Sequence, residues 1–128
     1  MANIYLKDGR IPTESKDCSV IALSYAFNID YSNAHDICKK AGRKNNRPFS
    51  LFKVFGFHKM TNGRIINGKT VIYNFRPKMT VGRFRNTYNK GTYIIRVAGH
   101  IFTIIDGVIF NNLNDRRIVS FYYEIVTK

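Results

Sequence analysis

The sequence predicts an α+β fold in which N-terminal helices pack on a C-terminal antiparallel sheet. Apolar residues recur at helical spacing early in the chain and alternate with polar residues late in it. Between two late extended runs, the pair Asp106-Gly107 is a strong hairpin signal. With 128 residues, of which 45% are hydrophobic, the chain is expected to form one domain, residues 1–128, with a core of ordinary size.

The first predicted helix contains Cys18 in its first turn. Asp17 is a favoured N-cap residue, and Ser15 offers a second cap if the helix starts two residues earlier. Free backbone N–H groups and the helix dipole stabilise a thiolate at this position. The alternative is a small, inert cysteine on a core helix. The helix is apolar nearly all round and is expected to be central; residues at helical spacing along it are Val20, Leu23 and Phe27.

A second helix is predicted after the break at positions 28–30, with Asp30 or Ser32 as its cap. Its apolar stripe places Cys38 in the core, and Gly42 suits the position after the helix end. Further along, Thr80 is expected to cap a helix that runs to Tyr88.

Extended segments are predicted near the N-terminus, in the middle of the chain and, most frequently, towards its C-terminus. Alternation or strand composition indicates strands or extended runs at Asn3 to Leu6, Thr70 to Phe75, Thr92 to Ala98, Ile101 to Ile105, Val108 to Phe110 and Ile118 to Val126. The late strands are expected to follow one another as an antiparallel meander. The segment from Phe49 to Phe57 is aromatic, with helical spacing that suggests core.

The chain is strongly basic, with 21 Lys+Arg against 8 Asp+Glu and a formal net charge of +13. Between Asp36 and Asp106 it contains no acidic residue. A field of one sign favours association with polyanions or acidic protein surfaces. Nucleic acid or an acidic host protein is therefore a predicted partner, and the candidate anion-binding residues are Arg43, Lys44, Arg47, Arg83 and Arg85.

The sequence favours a soluble protein that stays in a cytoplasm and does not enter a membrane. No run approaches the roughly 20 apolar residues that span a bilayer, and no signal-type apolar segment opens the chain. Cys18 and Cys38 do not make a disulfide framework, although a bridge between neighbouring helices stays open as an alternative. Neither cysteines nor histidines have zinc-site spacing, so no metal and no cofactor are expected.

Three residues form a candidate catalytic set: Cys18, His100 and Asn111. A tight turn at Asp106-Gly107 makes the residue numbers of facing pairs sum to about 213, which puts Asn111 opposite position 102. His100 shares a face with position 102, so Asn111 lies one diagonal step from His100 and can orient its imidazole. Asn112 and Asp106 are alternatives for this third role, since a one-residue bulge would exchange them.

The order of these residues resembles the papain-like cysteine peptidase superfamily in its compact forms. A helix-initial cysteine, a histidine at a strand start and an Asn or Asp on the next strand are typical of that superfamily, and the bacteriocin-leader-processing peptidases are similar in size. The chain also resembles small phage-encoded proteins of this type, and the segments that carry this likeness are residues 14–23, 41–44, 80–84, 90–94, 99–102 and 106–109.

The resemblance implies a papain-like minimal core and a thiol hydrolase or acyltransferase that acts on an amide or isopeptide bond of a protein or peptide substrate. It implies Cys18 as nucleophile, His100 as general base and then acid, and Asn111 as the orienting residue. It also suggests action in a host cytoplasm. The chain departs from the family because Asn3 is its only amide side chain before Cys18. The backbone N–H of Cys18, with Ser15, is the candidate oxyanion donor. The alternative is a papain-like fold without efficient catalysis, whose basic surface binds nucleic acid or an acidic host protein.

Overall fold

An antiparallel sheet of six strands with four helices makes up the described part of the computed structural model. The described residues are 17–44, 50–55, 65–66, 69–75, 77–110 and 116–127. In chain order the elements are α1 (Cys18–Phe27), α2 (Tyr31–Lys40), α3 (Phe52–Phe55), β1 (Ile65–Ile66), β2 (Lys69–Phe75), α4 (Val81–Thr87), β3 (Thr92–Val97), β4 (His100–Ile105), β5 (Val108–Phe110) and β6 (Phe121–Thr127). The predicted α+β class is confirmed.

Local capping chemistry sets the helix starts. The Asp30 carboxylate accepts a hydrogen bond from the Asn33 N–H at 2.9 Å, and α2 begins at the next residue. The Thr80 hydroxyl accepts one from the Arg83 N–H at 3.2 Å at the start of α4. Both caps are predicted from the sequence, because a short side-chain oxygen here satisfies a backbone donor that the helix leaves unpaired.

The strand order is β1-β2-β6-β3-β4-β5, and every pair is antiparallel. The pairing of β4 with β5 runs from Thr103 opposite Phe110 to Ile105 opposite Val108, which confirms the predicted sum of 213. Positive φ values of 49° at Asp106 and 81° at Gly107 match the turn that joins such hairpins. The predicted meander holds from β3 to β5, but it is wrong for β6, which inserts between β2 and β3.

Both faces of the sheet are covered. On one face, α1 and α2 pack against alternate strand residues that include Ile94, Ile101 and Tyr123. On the other face, α4 packs against the residues between them, including Ile95 and Phe102. Because successive side chains of a strand point to opposite faces, strands buried on both faces read as apolar runs. The apolar runs therefore predict that these strands are buried, but they do not predict on which face of the sheet α4 packs.

The structure adds one short strand and shifts the start of another, and one predicted strand lies outside the described residues. The short strand β1 pairs Ile65 with Thr70, although the sequence around it contains the turn signals Asn62-Gly63 and Asn67-Gly68. The last strand begins at Phe121 because Ile118 instead forms an isolated bridge with Thr80. The predicted Asn3 to Leu6 strand falls in the part that the structure does not describe. In the described part, no helix is long and apolar enough to cross a membrane.

Candidate active site

Cys18 is the first residue of α1, and the rest of that helix is buried. The side chain of Cys18 is half-buried and packs at the border of the core that lies between the sheet and helices α1 and α2. Its position confirms the prediction of a thiol in the first turn, where backbone N–H groups have no partner within the helix.

His100 is the first residue of β4, directly after the turn that joins β3 to β4. Gly99 in that turn has a φ of 77°, a left-handed conformation that glycine adopts without steric cost. The His100 ring stacks on Phe102, with ring centroids 5.7 Å apart and an interplanar angle of 20°. This stacking restricts the ring of a half-buried side chain at the sheet end.

The structure brings Cys18 and His100 into hydrogen-bonding contact, although they lie 82 positions apart in the sequence. Burial alone would raise the pKa of the Cys18 thiol, since it disfavours the charged form. The hydrogen bond with the His100 side chain, a hydrogen bond from the Ile101 backbone N–H and the positive charges of His100 and Arg96 oppose burial. Together they hold the pKa of Cys18 below its ordinary value, so the thiolate is favoured.

Cys38 lies in the opposite environment. It is buried on α2, and burial raises the pKa of its thiol to about 12, despite the opposing charge of Arg43. The prediction of Cys38 as a core residue is confirmed. Both cysteines are free thiols, so the bridge that the sequence left open is absent. The chain thus contains one thiol poised to ionise and one that stays protonated near neutral pH.

Asp17 occupies the N-cap position of α1 but makes no side-chain capping hydrogen bond. Its φ of −108° and ψ of 22° depart from the extended conformation of a capping residue. The buried carboxylate instead accepts a hydrogen bond from the Tyr31 hydroxyl at 2.8 Å. Of the two helix starts that the sequence allows, the structure has the one after Asp17, but the Asp17 side chain joins α1 to α2.

Two side-chain contacts hold α1 against the strands that carry the site. The buried Thr103 hydroxyl donates to the Ala22 carbonyl at 2.8 Å, from β4 to α1. Tyr25 stacks on Phe110 of β5 with ring centroids 4.8 Å apart. These contacts fix the position of α1 along β4, and therefore the position of Cys18 relative to His100.

Asp106 is not the third member of the set. Asp106 follows the last residue of β4, whereas His100 is the first. Because a strand advances about 3.3 Å per residue, the two residues lie at opposite ends of the strand, too far apart for contact. The Asp106 carboxylate accepts a hydrogen bond from the Gly91 N–H at 2.8 Å. Asn111, Asn112 and the candidate oxyanion residue Ser15 lie outside the described residues, so their roles stay predictions.

The candidate anion-binding residues are placed differently from one another. Arg43 is 4% exposed and lies beside Cys38, which corrects the expectation that it belongs to an accessible basic surface. Lys44 and Arg83 are exposed. Arg85 is half-buried and donates from Nε to the Gly107 carbonyl at 2.9 Å, so it has a structural role as well. Arg47 lies outside the described residues.

Arg96 is a site residue that sequence reasoning did not single out. It lies on β3 beside Ile101 of β4 and near enough to Cys18 to lower the pKa of the thiol. In the sequence it is one of fifteen basic residues between Asp36 and Asp106. The one distinguishing signal is that Arg96 interrupts an otherwise apolar predicted strand.

Among the described residues, no group of three or more His, Cys, Asp or Glu side chains is arranged to hold a metal ion. Comparisons with protein-family models, curated proteins and solved structures find no match to this chain. The resemblance to papain-like peptidases is therefore supported by no relative and stays a prediction from the residues.

Proposed function

We propose that this protein is a cysteine-dependent hydrolase or acyltransferase that acts on an amide or isopeptide bond of a protein or peptide, with Cys18 as nucleophile and His100 as its acid–base partner. The observation that carries the proposal is the contact between these two side chains, in which a half-buried thiol has a lowered pKa. A nucleophile hydrogen-bonded to its base at the start of a helix is the arrangement that activates cysteine.

The proposed reaction has two steps. The Cys18 thiolate attacks the carbonyl carbon and forms a C–S bond, the C–N bond then breaks, and His100 gives its proton to the leaving amine. Water or an acceptor amine then attacks the thioester, His100 takes the proton of that attacking group, and the Cys18 thiolate is restored. The backbone N–H of Cys18 is the proposed oxyanion donor, since a first-turn N–H is free to donate.

The first experiment measures the rate of iodoacetamide alkylation at Cys18 and Cys38 as a function of pH, with mass spectrometry to assign the modified residue. The rate at Cys18 should rise with pH as the thiolate forms, and its midpoint should lie below the ordinary cysteine pKa of about 8.5. Cys38 should stay unreactive through pH 9, because burial raises its pKa to about 12.

The matched variant is His100→Ala, which removes the ring and leaves Cys18 in place. Without the hydrogen bond and the charge of His100, less opposes the rise in the Cys18 pKa that burial causes. The midpoint for Cys18 alkylation should therefore move to higher pH. If Cys18 reacts no faster than Cys38, or if the variant leaves its profile unchanged, the thiol–imidazole pair is not functional and the proposal fails.

We propose that the protein acts in a cytoplasm, which is that of a host cell if the chain is phage-encoded. Its two cysteines are free thiols, and a reducing compartment preserves thiols. Fractionation of cells that express the chain, with the redox state of both cysteines trapped on lysis, tests this location.

A second candidate function is the binding of nucleic acid or an acidic host protein by the basic surface. It is favoured by exposed cations around α4, at Lys78, Arg83 and Lys90, in a segment that contains no acidic residue. Binding and catalysis are compatible, because a positive field also attracts an acidic substrate.

A further inference from the structure

A row of paired residues crosses the end of the sheet next to Cys18. Phe75 of β2 pairs with Phe121 of β6, Phe121 pairs with Arg96 of β3, and Arg96 pairs with Ile101 of β4. Directly paired residues share a face of the sheet. Ile101 and Phe121 belong to the core between the sheet and helices α1 and α2. The whole row therefore lies on the face of the sheet that carries α1.

Arg96 places a positive charge in this row, close to Cys18 and Tyr123. The residue is half-buried, and within the described residues no hydrogen bond and no ion pair holds its guanidinium. The nearby acidic side chains are directed elsewhere. Asp17 accepts from Tyr31, and Glu124 pairs with Tyr93, whose side chain belongs to the α4-side core.

Phe75, at the far end of the row, also lines an apolar pocket. The volume of the pocket is about 370 Å³, and it is lined by Phe75, Lys78, Ile118, Val119 and Ser120. Phe75 and Ile118 are each 60% exposed, although large apolar side chains are usually covered. The Ser120 N–H donates to the Arg96 carbonyl at 2.8 Å, so the pocket adjoins the strand that carries Arg96.

We infer that this end row is the acyl-side binding site of the enzyme, and that its substrate is an acidic peptide segment. Arg96 binds the carboxylate side chain of the residue whose carbonyl Cys18 attacks, and the pocket beside Phe75 holds an apolar side chain earlier in the segment. The inference rests on the proposed function, since it requires Cys18 to be acylated. The acyl part stays attached to Cys18 until the second step, so binding on this side retains the intermediate.

The spacing of the row fits an extended peptide. Neighbouring strands are about 4.8 Å apart, so β3 and β2, with β6 between them, are separated by about 10 Å. An extended peptide covers that distance in about three residues. The charge is also complementary, because Arg96 in the row and Lys78 at the pocket meet a peptide that carries carboxylates.

The test uses tetrapeptide chloromethyl ketones, in which the thiolate of Cys18 displaces chloride and forms a C–S bond. Three probes are compared: Phe-Ala-Ala-Asp, Phe-Ala-Ala-Asn and Ala-Ala-Ala-Asp. The second-order rate constant is followed by intact mass spectrometry. We expect the Asp probe to react about tenfold faster than its Asn counterpart, as one charge-assisted contact would give. The Phe probe should react several-fold faster than the Ala probe.

Variants assign each preference to its residue. Arg96→Gln should abolish the preference for Asp over Asn, Arg96→Lys should keep part of it, and Phe75→Ala should reduce the preference for Phe over Ala. The matched control is Lys90→Gln, which removes one charge before the opposite end of β3 and should leave both preferences intact. Rate ratios are compared at one pH because Arg96 also lowers the pKa of Cys18.

The outcomes separate the two proposals. If iodoacetamide fails to alkylate Cys18 in the pH range where its thiolate is expected, the proposed function fails. If iodoacetamide reacts but the wild-type protein labels equally with the Asp and Asn probes, the acidic-substrate inference is overturned while the nucleophile stands. An Asp preference that survives in Arg96→Gln overturns the role of Arg96.

Discussion

At the scale of single residues, the two cysteines show how the same side chain acquires opposite chemistry. Burial raises the thiol pKa at both positions. At Cys18 a histidine hydrogen bond, a backbone N–H and two positive charges outweigh burial. At Cys38 a single nearby charge, that of Arg43, does not. The number and proximity of polar contacts therefore decide which thiol ionises, and burial alone does not.

The Tyr31–Asp17 contact is expected to contribute to stability beyond an ordinary hydrogen bond. Tyr31→Phe removes a donor from a buried carboxylate and should lower the free energy of unfolding by about 1.5 to 3 kcal/mol at pH 7. The control is Tyr93→Phe, which removes a hydrogen bond to the neutral Lys90 carbonyl and should cost only about 0.5 to 1.5 kcal/mol. Urea denaturation measures both variants. Equal losses would mean that the carboxylate contact contributes no more than a neutral one.

At the scale of elements, the active-site geometry depends on how α1 sits on β4. Local sequence signals place Cys18 at a helix start and His100 near a strand start, and both are confirmed. Neither of these local signals specifies which end of β4 lies next to the start of α1. The Thr103–Ala22 hydrogen bond and the Tyr25–Phe110 stacking determine that approach, and both are contacts between distant parts of the chain.

Thr103→Val tests this attachment, because valine keeps the shape of the side chain and removes the hydroxyl. The free energy of unfolding should fall by about 1 kcal/mol, as expected for a buried hydrogen bond. Alkylation of Cys18 should also slow as the helix loses its anchor on β4.

Thr70→Val is the matched control for this prediction. The buried Thr70 hydroxyl has no hydrogen-bond partner among the described residues, so its removal should be neutral or slightly stabilising. If both valine variants lose the same stability, the Thr103 hydroxyl does not contribute through its bond to Ala22.

At the scale of the whole molecule, exposed cations lie on both sides of the sheet. Lys78, Arg83 and Lys90 are exposed on the side of α4, and Lys39, Lys44 and Lys53 are exposed on or beside α2 and α3. Helix α2 also carries Asp36, which forms an ion pair with Lys40 at 3.1 Å, whereas no acidic residue lies between Lys78 and Lys90 in the sequence. If the basic surface binds a polyanion, the α4 side is therefore the expected site.

Binding of a labelled single-stranded 20-mer oligonucleotide, measured by fluorescence anisotropy at several salt concentrations, tests this expectation. Affinity should fall steeply with salt, because each neutralised phosphate contributes a slope of about −0.7 in log K against log salt. The triple variant Lys78→Gln, Arg83→Gln, Lys90→Gln should reduce the slope by about 2.

Two controls accompany the salt titration. Cys18→Ala should bind as the wild-type protein does, because this function does not use the thiol. The variant Lys39→Gln, Lys44→Gln, Lys53→Gln removes three charges from exposed positions on or beside α2 and α3 and should change the slope less. Salt-independent binding, or no binding at low salt, would remove this second function.

The sequence by itself determined the α+β class, the starts of α2 and α4, the hairpin register and the position of Cys18 in a first turn. These depend on capping, turn chemistry and periodicity, which act over a few residues. Only the tertiary structure decided that β6 inserts between β2 and β3, that Arg43 is buried, and that Arg96 lies near Cys18. Those features arise from strand pairing and packing between distant segments, whose partners a local pattern does not specify.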